Sequence, residues 1–87
     1  MKNIESLTNT NFKILSYLYD VKDEKHLVRR TQTEISKDLQ LSRATVNTAF
    51  KSLKENGYLM HDESRVGCYY LTEEAVKIIG LFRKNNK

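Results

Sequence analysis

The side chains best suited to chemistry lie on one face of a short helical stretch near the middle of the chain. At about 3.6 residues per turn, the face opposite the apolar side carries hydrogen-bonding groups and no acid over residues 43–51. Its members are Arg43, Ala44, Asn47, Thr48 and Lys51. In the major groove of DNA, Arg can pair with guanine, Asn with adenine, Thr with base edges or phosphate, and Lys with phosphate. This pattern predicts a DNA-recognition helix, and the alternative is a polar helix face that only meets water.

A helix-turn-helix over residues 31–57 is predicted to position this face. Thr31 and Glu34 have the spacing of a capping box, in which each side chain accepts a hydrogen bond from the other residue's amide. Residues 40–41 form a tight corner, and Ser42 can cap the second helix. Two short helices therefore meet across a turn.

The second helix carries an apolar stripe that would fix its orientation. The stripe has the spacing i, i+3, i+4, i+7 and consists of Val46, Ala49, Phe50 and Leu53. Gly57 follows at a position that favours left-handed backbone, and so ends the helix. With the stripe buried, the polar face must point outward.

Length and charge suit a single small domain with a polyanionic partner. The chain has 87 residues, 30% of them charged and 39% hydrophobic, and its net charge is +4. We therefore expect one folded domain over residues 1–87. Residues 25–54 contain seven basic residues against two acids, so the positive charge is concentrated around the predicted recognition helix.

Helices are also predicted at both ends of the chain. A first helix, capped by Thr8 or Thr10, covers residues 12–19, and residues 26–30 can form a short strand. A last helix begins after Thr72, with two acids in its first turn and basic residues near its end. The expected fold class is mainly α with a small β-hairpin.

The hairpin is predicted directly after the recognition helix. Residues 58–61 and 68–71 are β-prone and flank a polar turn. A hairpin in this place is a wing, and its tip could bring Arg65 to a phosphate or into the minor groove. Asp62 and Glu63 beside it favour the competing interpretation, an arginine that is only solvated.

A homodimer is predicted from apolar surface that one protomer cannot cover. The apolar residues of the last helix extend over more than half of its circumference, and the first helix has a wide apolar arc as well. Exposed together they would form a patch that soluble monomers usually avoid, whereas two-fold pairing would bury it. The candidate dimerisation residues are Tyr17, Ile78, Leu81 and Phe82.

The order of elements, with LSRATVNTAFKSLKENGYLM and CYYLTEEAVKII, resembles the bacterial winged helix-turn-helix proteins, broadly the MarR-like regulators. The resemblance covers about residues 8–82. It implies dimeric binding to operator-like double-stranded DNA. It also places six residues at recognition-helix positions, namely Arg43, Ala44, Thr45, Asn47, Thr48 and Lys51.

Within that group, the pattern LS-x-x-TV followed by NGYL, ESRVG and YLTEEAVKII is similar to the TubR-type centromere-binding adaptors of plasmid and phage partition systems. That narrower resemblance implies a filament-forming, tubulin-like GTPase as a partner. The chain departs from the wider family in its short wing with little basic charge. It also lacks the long extra helices of many MarR-like dimers, so effector sensing of the usual kind is not expected.

Catalysis, metals and cofactors are not expected. No nucleophile with a base, glycine-rich phosphate loop or paired carboxylates stands at a recognisable spacing. His26 and His61 lie 35 positions apart and Cys68 is the only cysteine, which gives no zinc pattern. Cys68 on a strand is interpreted as a small packing residue, and a redox sensor is the alternative.

The sequence also predicts where the protein works. It contains no run of 18 apolar residues and no apolar segment typical of a signal peptide near its start, so a cytoplasmic protein without membrane contact is expected. A second class of function remains open, a winged helix that binds proteins and not DNA, because a fold alone does not determine function.

Overall fold

The computed structural model describes residues 9–85. In chain order its elements are α1 (Asn9–Val21), β1 (Leu27–Arg29), α2 (Gln32–Leu39), α3 (Arg43–Glu55), β2 (Leu59–His61), β3 (Cys68–Leu71) and α4 (Glu73–Asn85). This order confirms the predicted fold class, a mainly α domain with a β-hairpin wing. The predicted cap Thr10 lies inside α1, and Thr8 falls outside the described residues.

The helix-turn-helix begins with the predicted capping box. Thr31 Oγ1 accepts from the Glu34 amide at 3.1 Å, and Glu34 Oε1 accepts from the Thr31 amide at 2.8 Å. The corner turns at Gln40, whose φ of 56° is left-handed. Ser42 Oγ then accepts from the Thr45 amide at 3.0 Å and caps α3. These local bonds set the angle at which α3 leaves the turn.

The three strands form an antiparallel sheet in the order β1-β3-β2. Tyr70 of β3 lies between Leu27 of β1 and Met60 of β2. The sequence predicted each strand, but not that β1 would pair with the second strand of the hairpin. This pairing brings the chain just before α2 against the wing.

The buried stripe of α3 is confirmed, since its four apolar residues are at most 2% exposed. Phe50 is fully buried and packs edge to face on Tyr69, with 4.8 Å between ring centroids. Ile14 and Leu18 of α1 and Ile79 of α4 lie in the same core. The recognition helix is therefore fixed against both the sheet and the outer helices.

Helices α1 and α4 are tied together at one end by Arg83. Its Nη1 donates to Asp20 Oδ1 at 2.6 Å, and its Nη2 donates to Ser16 Oγ at 2.7 Å. The guanidinium also lies 4.9 Å from the centre of the Tyr19 ring. The hydrogen bond from Arg83 lowers the pKa of Asp20 below its ordinary value. These contacts fix the angle between the two helices.

In the described part of the chain, no helix has the length and apolar character needed to span a membrane.

Candidate nucleic-acid interface

The exposed face of α3 is the candidate interface. All five residues that the wheel placed there are exposed, namely Arg43, Ala44, Asn47, Thr48 and Lys51. The first turn of α3 contains no acid, so the positive end of the helix dipole is not neutralised there. Arg43 and Asn47 lie near the start of this face, and Lys51 lies about two turns after Arg43. The arrangement can donate hydrogen bonds to base edges and to phosphates on one strand of DNA.

Thr45, which only the family resemblance placed at a recognition position, is half-buried. Its Oγ1 accepts a hydrogen bond from Ser42 Oγ at 2.8 Å, and its amide donates to the same serine. Thr45 therefore supports the helix cap. Its hydroxyl faces the shallow groove between α1 and α3, beside Ala44 and Thr48.

This groove between α1 and α3 has a volume of about 490 Å³. Two of its lining residues join the helices, since Asn11 Nδ2 donates to Ser52 Oγ at 3.0 Å. Asn11 is only 7% exposed. The bond fixes the start of α1 beside the recognition helix, a contact that helical periodicity could not reveal because it joins residues 41 positions apart.

A second depression, which we call the wing hollow, lies between the start of α2, the start of α3 and the hairpin near its tip. It measures about 500 Å³ and is lined by Thr31, Gln32, Thr33, Arg43, Asn47, Val66, Gly67 and Tyr69. Sequence reasoning found Arg43 and Asn47 but not their neighbours from α2 and the wing. No local signal could have found them, because the pairing of β1 with β3 brings these segments together.

Arg65 is directed away from this hollow. Its guanidinium forms an ion pair with Asp62, with 3.0 Å between Nη2 and Oδ2, and this contact raises the pKa of Arg65. Arg65 lines a different depression on the outer face of the sheet, with Arg29 and Tyr70. Its side chain is still 53% exposed. The structure shows the Arg65 side chain paired with Asp62. The DNA contact predicted for Arg65 stays a prediction.

The four candidate dimerisation residues occupy different environments. Leu81 is 56% exposed, and Ile78 is half-buried against the core. Phe82 packs edge to face on Phe12 of the same chain at 4.9 Å. Tyr17 donates a hydrogen bond to Asp38, and burial together with this bond raises its pKa to about 12. Leu81 thus offers the largest free apolar surface of the four.

The histidines and the cysteine show no constellation for chemistry. Within the described residues, no group of three or more His, Cys, Asp or Glu side chains could hold a metal ion. His61 is exposed and stacks on Tyr69 at 4.8 Å, whereas His26 is half-buried at a positive φ of 67°. Cys68 is a free thiol, 8% exposed, in the position of a packing residue.

Residues 28–60 match a protein family described as winged helix-turn-helix DNA-binding. The match starts in β1 and ends in β2, so it includes α2, the corner and α3. No curated protein sequence matches the chain.

Three solved structures are similar to the chain. ZitR from Lactococcus lactis, a C30AH42A mutant in apo form, gives a TM-score of 0.70 at 28% identity over 93% of this chain and 59% of ZitR. The S. aureus MepR-DNA complex gives 0.69 at 24% identity over 92% of this chain and 68% of MepR. The reduced CO-sensing protein from R. rubrum gives 0.71 at 21% identity over 86% of this chain.

The chain spans 37% of the CO-sensing protein and 59% of ZitR, so these proteins contain further regions without a counterpart here. At this level of identity the likeness to MepR and to the CO-sensing protein concerns the fold alone. With the family match, the comparisons confirm the predicted winged helix-turn-helix and its MarR-like relatives. The narrower TubR-type resemblance stays a prediction.

Proposed function

We propose that this winged helix-turn-helix domain binds double-stranded DNA in a sequence-specific manner, as a cytoplasmic homodimer, with α3 in the major groove. The observation that carries the proposal is the exposed face of α3 over residues 43–51, which carries no acid before Glu55 in the last turn and stands on a helix that is capped at its start and anchored through a fully buried phenylalanine. The buried stripe keeps this face outward, and its side chains are of the types that pair with base edges.

Charge supports the same proposal. Between residues 25 and 54, seven basic residues stand against two acids. Cations that neutralise phosphates release condensed counterions, so binding to DNA should weaken steeply as salt is raised. A titration of mixed-sequence duplex DNA at about 50 mM and about 200 mM salt measures this directly. If no complex forms at the lower salt concentration, the result contradicts DNA binding and favours the alternative, a protein-interaction module.

Replacing Arg43 with Ala is expected to weaken binding to the cognate site by about 5-fold to 150-fold, because a bidentate base contact contributes roughly 1 to 3 kcal/mol. The cognate site is first selected from random duplexes, and affinity is then measured by fluorescence anisotropy. Arg29→Ala is the matched control, since Arg29 is an exposed arginine on the outer face of the sheet. Equal affinity of Arg43→Ala and the parent on the selected site would remove Arg43 from the base-reading residues.

Lys51→Ala is expected to behave differently, because a phosphate contact carries no base information. It should weaken binding to selected and unselected duplexes about equally and reduce the salt slope by about one per protomer. Lys25→Ala, a substitution of an exposed lysine in the loop after α1, provides the control. A loss confined to the selected duplex would show that Lys51 reads bases.

Two biological roles fit a dimeric DNA-binding domain of this kind. One is a transcriptional repressor, supported by the MarR-like fold. The other is a centromere-binding adaptor for a tubulin-like GTPase, supported by the TubR-type resemblance in the wing and α4. Co-sedimentation of the DNA complex with filaments of such a GTPase distinguishes them: a DNA complex that pellets with the filaments supports the adaptor, and a DNA complex that stays in the supernatant supports the repressor.

A further inference from the structure

The tip of the hairpin, residues 62–67, is organised by one carboxylate. Asp62 Oδ1 accepts from the amide of Ser64 at 3.1 Å and from its hydroxyl at 2.6 Å. Asp62 Oδ2 accepts from Arg65 Nε at 3.1 Å. The Ser64 and Arg65 bonds lower the pKa of Asp62, so the carboxylate stays charged. As a result, the only cation of the tip is folded back onto the turn.

The same turn directs Val66 outward. Val66 is 94% exposed, the highest value among the large apolar side chains of the described residues. It lines the wing hollow together with Arg43 and Asn47, whereas its neighbour Arg65 lines the depression on the other face of the sheet. The two adjacent side chains therefore point to opposite sides, and Val66 is on the side of the recognition helix.

The position of Val66 is fixed by the next residue. Gly67 has a φ of +75°, and a Cβ there would lie 3.1 Å from Thr31 Cγ2. The Gly67 backbone therefore lies close to the start of α2, where the capping box forms both of its hydrogen bonds. An exposed apolar side chain is thus held in a defined place beside the face of α3.

We propose that Val66, and not Arg65, is the residue with which the wing contacts DNA. With α3 in the major groove, the wing tip stands across one sugar-phosphate backbone from α3, at the adjacent minor groove. There Val66 makes an apolar contact with the sugars and base edges, as apolar side chains do in other minor-groove complexes. This inference rests on the proposed DNA binding. It gives the wing a contact that does not depend on salt.

Three substitutions at the tip test the proposal on the selected duplex at two salt concentrations. Val66→Ser is expected to weaken binding roughly tenfold with an unchanged salt slope, because it removes buried apolar surface and no charge. Arg65→Gln is expected to change affinity less than about twofold, since the guanidinium is held by Asp62. Val66→Arg is expected to steepen the salt slope by about one per protomer, because it places a cation at the backbone.

A footprint adds an independent readout. Hydroxyl radicals cleave DNA at sugars that are open to the minor groove, so the parent should protect sugars beside the half-site read by α3. Val66→Ser should lose this protection and keep the protection of guanine N7 in the major groove. Because the Val66 side chain is almost fully exposed, Val66→Ser and Val66→Arg should melt with the parent in circular dichroism. Arg65→Gln loses one surface ion pair, which usually contributes at most about 1 kcal/mol, so it should melt close to the parent.

The outcomes separate this inference from the proposed function. If the parent binds no duplex, the proposed function fails and the wing contact fails with it. If the parent binds and Val66→Ser binds equally well, only the wing contact is overturned. If Arg65→Gln weakens binding and flattens the salt slope by about one, the contact belongs to Arg65 and the assignment to Val66 is wrong.

Discussion

Phe50→Ala is expected to lower the free energy of unfolding by about 3 to 5 kcal/mol, the usual cost of truncating a fully buried phenylalanine. Phe50 has no exposed surface and packs edge to face on Tyr69 of β3, so the substitution leaves a cavity between α3 and the sheet. Small domains have a total stability of about 5 to 15 kcal/mol, and the loss is therefore a large part of it. The effect arises where the recognition helix is anchored, so the variant also tests how α3 is held.

Urea unfolding at a fixed protomer concentration measures this loss. With a slope of about 2 kcal/mol per molar urea, the midpoint should fall by roughly 2 M while the slope itself stays the same. Tyr58→Phe is the control, because it also alters a buried aromatic residue but keeps the ring. The Tyr58 hydroxyl is buried and has no hydrogen-bond partner within the described residues, so its removal should not destabilise the protein. An unfolding midpoint for Phe50→Ala equal to that of the parent would place Phe50 outside the core.

Local rules account for what the sequence could predict. The capping box at Thr31 and the cap at Ser42 depend on residues three positions apart, and the structure forms both. The buried stripe of α3 follows from helical spacing, and Gly57 takes the expected left-handed backbone with a φ of 77°. The exposed residues of α3 were therefore identified correctly as a face, although their contacts with DNA remain a prediction.

The remaining features of the site depend on contacts between distant residues. β1 pairs with β3 about 40 positions away, and this pairing forms the wing hollow. Hairpin propensity predicts the two strands of the wing but does not specify their third neighbour. The direction of Arg65 depends on an ion pair whose partner, Asp62, was seen in the sequence only as an acid that reduces the net charge of the turn. Spacing rules do not give the direction of side chains in an irregular turn.

The proposed dimer surface also depends on contacts between residues that are distant in the sequence. Counting apolar residues around α4 could not distinguish those that find partners within the chain from those that do not. Phe82 packs on Phe12, and Tyr17 donates a hydrogen bond to Asp38 of α2. The apolar surface left on this side of the protomer is therefore smaller than the sequence suggested, and it is centred on Leu81 with Ile78 beside it.

If the protein is the proposed dimer, Leu81→Glu is expected to convert it to a monomer at micromolar concentration, because it places a charge at the centre of the proposed interface, where it would have to be buried without a partner. Loss of the dimer also removes the second recognition helix. Linked binding to two half-sites exceeds single-site affinity by about 100-fold to 10,000-fold, so the apparent affinity for a two-site duplex should fall by a factor in that range. On a single half-site the variant and the parent should bind alike.

Light scattering gives the mass of each protein, and Met60→Glu is the matched control. Met60 is 59% exposed on the sheet, close to the 56% of Leu81, so it receives the same charge in a comparable environment far from α4 along the chain. The mass of Met60→Glu should stay that of the parent.

If α3 helices related by a two-fold axis enter successive major grooves, the selected half-sites should lie about 10 base pairs apart, whereas a TubR-like arrangement would select tandem repeats. A parent of monomer mass, with Leu81→Glu unchanged in both mass and affinity for the two-site duplex, would rule out dimerisation through this helix.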